Sequence, residues 1–112
     1  MHLELTAEAL LIQFGYTQTE QTLKQMNTIM QNTKSFEKFS SHLLAFNDAL
    51  AVEKGFIAMS NSKNYLKIKC NEDISADNLS EFHTIVSYWA DKYKVDVEQL
   101  NNKNTYYILG HN

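Results

Sequence analysis

Arginine and proline are absent from this 112-residue chain, cysteine occurs once and glycine three times. Each scarcity excludes something. A lone Cys70 has no partner for an internal disulfide, which removes the stapled secreted scaffolds and points to a reducing compartment. No apolar run approaches the roughly 20 residues needed to cross a bilayer, and Met1-His2-Leu3-Glu4-Leu5 lacks the basic start and apolar stretch of a signal peptide. A cytoplasmic protein with no membrane association is expected. Without Arg there is no planar fork to grip phosphate at two points, and the ten lysines are outweighed by thirteen acidic residues, for a formal charge of −3. Dense phosphate recognition is therefore disfavoured. There is also no Pro-rich or Gly/Ser-rich linker, no low-complexity tract and no run of five like charges. One core suffices at this length, so residues 1–112 are expected to form a single domain.

What is present is alternating periodicity. Leu10, Leu11, Ile12 and Phe14 crowd into a short helix that Thr6 can cap and Gly15 can stop, with a strand over His2 to Leu5 as the alternative. Thr17 followed by Glu20 forms a capping-box pattern, and Leu23, Met26, Ile29 and Met30 then predict a helix over about 18–32. Phe36, Phe39, Leu43, Phe46 and Leu50 recur at intervals of three and four, predicting a third helix that ends at a left-handed Gly55. The period then falls to two. Phe56 to Ser60 and Tyr65 to Cys70 read as a hairpin joined through Asn61-Ser62-Lys63-Asn64, with Leu66, Ile68 and Cys70 on its buried face. Ser75 caps a helix over about 76–94 whose stripe is Leu79, Phe82, Val86, Trp89 and Tyr93. Val95 to Leu100 fits either a strand or a helical turn, and Thr105 to Leu109 is a strand that pairs in parallel or lies at an edge. The order α-α-α-β-β-α-β implies an α+β fold, a two-layer sandwich of amphipathic helices on a small, mainly antiparallel sheet.

No catalytic pattern accompanies these elements. His2, His42, His83 and His111 form neither H-E-x-x-H nor H-x-x-x-H, Cys70 has no adjacent base, and His83 reads as a helix-surface residue. Glu72-Asp73 and the Asp96/Glu98 pair read as solvated surface, while Gly15, Gly55 and Gly110 are too isolated for a phosphate cradle. No cofactor or metal is expected, and no enzymatic activity.

Two surfaces are left as candidates. The helical stripes offer more apolar area than a small sheet covers, so helix must pack on helix or on another chain. Trp89 belongs to the core stripe, but Tyr88 falls one residue off it and is assigned, with Tyr106 and Tyr107, to a partner-binding surface. Tyr65, Lys67 and Lys69 share one strand face, where interleaved aromatics and lysines suit base stacking and phosphate neutralisation. The element order over roughly residues 17–109 resembles that of the N-terminal interaction domains of bacterial replication initiators, which implies a docking role and assigns no residue. The sequence thus reads as a regulatory adaptor acting on a protein partner or as a homodimer, with weak nucleic-acid binding and small-ligand binding as the alternatives.

Overall fold

The computed structural model describes residues 6–52, 54–60, 62–71, 73–100 and 103–111. Helix α1 (Ala7–Gln13) starts where the Thr6 hydroxyl accepts from the Ala9 N–H at 3.2 Å, and it ends at Phe14, after which Gly15 turns the chain at φ 82°. The alternative strand over His2 to Leu5 lies outside the described residues. Helix α2 (Glu20–Asn32) does have a capping box, but Thr19 and Thr22 make it rather than Thr17 and Glu20. Glu20 is the first helical residue here, so its side chain is too early to reach back, and Thr22 takes the reciprocal role.

The third segment departs from expectation in geometry and not in its buried face. Left-handed Ser35 (φ 50°) leads into two 3-10 turns, Phe36–Lys38 and Ser40–His42, before α3 (Leu43–Val52) begins. A 3-10 turn also places residues i and i+3 on one side, so Phe36 and Phe39 still meet, ring edge to ring face, at 5.5 Å. Gly55 does not make the left-handed stop; Lys54 does, at φ 64°, and Gly55 is the first residue of β1 (Gly55–Met59). Glycine is needed there for space, because a Cβ would sit 2.9 Å from the Phe82 ring.

Strand β1 pairs antiparallel with β2 (Leu66–Cys70), Ser75 caps α4 (Ala76–Tyr93), and left-handed Lys94 turns directly into β3 (Val95–Gln99) and then β4 (Tyr106–His111). Residues near 96 therefore form a strand. The sheet order is β1-β2-β4-β3, antiparallel throughout, so the last strand lies inside the sheet and is neither parallel nor at an edge. Composition explains the placement: Asp96, Glu98 and Gln99 suit an edge that must resist pairing, whereas Tyr106, Tyr107 and Ile108 suit a centre. The opposite edge is closed by side chains, with the Ile57 N–H donating to Asn47 Oδ1 and the Met59 N–H to the Tyr16 hydroxyl, both at 2.9 Å.

Among the described residues the buried apolar side chains join one core between the helices and the inner sheet face. Ile57, Leu66, Ile68 and Ile108 meet Leu43, Leu50, Phe82 and Val86, while Leu10, Leu11, Met26 and Ile29 bring in α1 and α2. The molecule is an α+β two-layer sandwich, and among the described residues the helices lie on one face of the sheet. Among the described residues no helix is long and apolar enough to cross a membrane.

Candidate functional site

Helices α3 and α4 lie on the sheet and leave between them a cleft of about 390 Å³ that opens to solvent. Its floor is aromatic. Phe46 and Trp89 stack at 4.1 Å with their planes 4° apart, Phe39 and Tyr93 meet Trp89 at 6.0 and 5.9 Å, and His42 stacks on Tyr93 at 4.0 Å. The walls are Ala45 and Ala49, one turn apart and exposed on α3, against Thr84, Ile85 and Tyr88 on α4. The Lys92 ammonium closes one end, 5.8 Å from the Tyr88 ring and 5.4 Å from the Tyr93 ring. Tyr88 itself is 67% exposed, which is unusual for so large a ring.

The cleft follows from helix periodicity. Positions 46 and 49 of α3, with His42 from the 3-10 turn before it, line the side that faces α4, and 85, 88, 89 and 92 lie on the facing flank of α4. Small alanines on one wall keep that side low, above stacked rings that are themselves buried, Phe46 at 3% and Trp89 at 6% exposed. One polar atom on the floor is unsatisfied: the Trp89 indole N–H is buried and meets no acceptor among the described residues. An unpaired buried donor costs about 1–3 kcal/mol, so stability alone does not favour an indole over a phenyl ring here.

The three tyrosines assigned to a partner surface do not form one patch. Tyr88 is on the cleft rim, while Tyr107 is half-exposed on the outer sheet face. Tyr106 is 8% exposed and faces the helices, so the expectation that it presents its ring to a partner is corrected. Its register opposite Ile68 puts it on the inner face, and adjacent residues of a strand must point opposite ways. Burial pushes the Tyr106 phenol above its usual range. Its hydroxyl is engaged by His83 Nδ1, and His83 Nε2 reaches Asn104 Oδ1 at 3.2 Å, so the half-exposed His83 at the helix surface also ties α4 to the turn before β4.

Tyr65, Lys67 and Lys69 do share the outer face of the sheet, and among the described residues no helix covers that face. Strand pairing adds Tyr107 to the group, directly opposite Lys67 and with its ring 6.0 Å from that of Tyr65. The Tyr107 hydroxyl bonds Ser62 at 3.2 Å. Hydrogen bonding to Ser62 and Ser60, helped by the charges of Lys63 and Lys67, holds this phenol below its usual pKa. Tyr107 was assigned to a protein surface because the sequence does not show which strand β4 joins.

Cys70 is half-buried at the end of β2, less enclosed than its place beside Leu66 and Ile68 implies, with its sulfur 3.9 Å from the Asn104 carbonyl. Burial pushes its thiol up, against a smaller lowering by Lys69, which is the wrong direction for a nucleophile. Among the described residues no three His, Cys, Asp or Glu side chains converge on a point that could hold a metal. In comparisons with known proteins, the chain matches no family model, no curated protein and no solved structure.

Proposed function

We propose that this chain is a non-catalytic cytoplasmic adaptor that docks an amphipathic helix of a protein partner in the α3–α4 cleft. The observation that carries this reading is the cleft itself: a solvent-open trough between α3 and α4, lined by the stacked Phe46 and Trp89 at its base, with an exposed tyrosine on the rim. An apolar trough between helices accepts a third helix through anchors spaced at i, i+3 or i+4, and i+7. Lys92 at one end favours a partner carrying a carboxylate near that end of its apolar stripe. Tyr88 supplies a rigid amphipathic ring at low entropic cost.

The test uses helices selected from a displayed library of amphipathic sequences. Trp89 is the sole tryptophan of the chain, so its emission reports cleft occupancy directly. Helices that bind with dissociation constants on the order of micromolar are expected, and Ala49→Glu, which puts a charge on an exposed wall position, is expected to weaken them at least about tenfold. Failure to select any helix that shifts the emission, or equal binding by Ala49→Glu, contradicts the proposal.

A further inference from the structure

The outer face of the sheet carries a pattern that the cleft does not use. Register places Ala58, Lys67, Tyr107 and Glu98 in one row across β1, β2, β4 and β3. Lys67 and Tyr107 are half-exposed and Glu98 is exposed. The row therefore runs from a cation, through an aromatic ring, to an anion. Lys63 and Lys69 add positive charge on the β2 side, and Asp96, which alternates with the inward Val95 and Val97, adds negative charge on the β3 side.

We propose that this face pairs with the same face of a second copy of the chain about a two-fold axis running along β4. A rotation about that axis exchanges the two flanks of β4, since β2 and β3 lie about 4.8 Å to either side of it. Lys67 of each copy then stands over Glu98 of the other, and the two Tyr107 rings meet on the axis. Two sheets packed face to face are about 10 Å apart, a gap that two tyrosines and a Lys–Glu pair fill. Tyr107 is already fixed for such a contact by its Ser62 hydrogen bond and its neighbour Tyr65. Ala58 falls outside the overlap, because the facing sheet has no strand beyond β3, and so does Phe56 on the same face of β1.

Charge decides between this occupant and single-stranded nucleic acid. A backbone of phosphates would gain from Lys67 and Lys69 but be repelled by Glu98 and Asp96 on the same face, and no arginine is present to offset that. A second copy meets Lys67 with Glu98 and Glu98 with Lys67. The proposal is independent of the cleft reading, because the cleft opens on the helix layer, and a dimer joined by its sheets would present two clefts facing outward.

Only three strands overlap, so the interface is small and the dimer is expected to dissociate at concentrations on the order of 10–100 µM. Sedimentation equilibrium over a concentration series measures this. Lys67→Glu and Glu98→Lys, both at solvent-accessible positions, should each weaken the dimer tenfold or more by placing like charges together twice. Mixed in equal amounts, the two variants should recover a heterodimer, since every facing pair is again of opposite sign. Ala49→Glu should leave dimerisation unchanged, which separates this proposal from the cleft. A wild-type chain that stays monomeric at about 500 µM overturns the inference. So does a mixture that remains monomeric, or a dimer that neither single variant weakens. A monomer that binds a single-stranded oligonucleotide through Lys67 overturns it in favour of nucleic acid.

Discussion

Gly110→Ala is expected to lower stability by about 3–4 kcal/mol and the melting temperature by about 10–15 °C. Beyond the start of β2, the segment at Lys34 takes its place beside β4 through an isolated parallel bridge to Gly110. The Lys34 N–H donates to the Leu109 carbonyl at 3.4 Å, and the His111 N–H donates to the Lys34 carbonyl at 2.8 Å. A Cβ on Gly110 would lie 2.6 Å from Lys34 Cβ and 2.7 Å from its backbone N and O, and φ at this residue is +148°, where L side chains are strained. Backbone cannot swing aside as a lysine tip could, so the bridge must open and the strain is added to the two lost hydrogen bonds. Gly15→Ala separates the contributions: its φ is +82° but no atom lies within 4 Å of a new Cβ. It should cost only about 1–2 kcal/mol, the conformational part alone. Equal melting temperatures for the two variants would contradict this.

Trp89→Ala is expected to cost about 3–5 kcal/mol, whereas Trp89→Phe should cost much less. Alanine removes the ring that stacks on Phe46 and meets Phe39 and Tyr93, and it leaves a void beneath the cleft that closes only if the helices shift inward. Phenylalanine keeps a ring in that stack and discards the indole N–H that has no acceptor among the described residues, so a lost polar penalty offsets part of the lost volume. Urea unfolding followed by circular dichroism measures both. If Trp89→Phe is as damaging as Trp89→Ala, the unpaired N–H is not a cost that the fold carries.

Most of the architecture was legible because it depends on periodicity and caps. The stripes through Phe36, Phe39, Leu43, Phe46 and Leu50 and through Phe82, Val86 and Trp89 are buried as their spacing requires. Ser75 and Thr6 cap their helices as read. What escaped was decided by three-dimensional neighbours. Gly55 looked like a helix stop because glycine tolerates positive φ, but its requirement comes from the Phe82 ring, which is 27 residues further on. The Gly110 constraint comes from Lys34 in the same way. Adjacent Tyr106 and Tyr107 had to point to opposite faces, yet which faced inward depended on β4 entering between β2 and β3. The exposed flank of Tyr88 was visible as an off-stripe position, while the cleft beside it needed the alanines at 45 and 49 to be brought against α4.

The docking role is tested most directly by photo-crosslinking from the cleft rim. Tyr88 is replaced by benzoylphenylalanine, the protein is irradiated in an extract of the cells that make it, and the attached peptide is sequenced by mass spectrometry. A discrete adduct on an amphipathic segment is expected, and it should disappear when Ala49→Glu is added. No adduct, or one that persists unchanged with Ala49→Glu, would contradict a partner helix in the α3–α4 cleft.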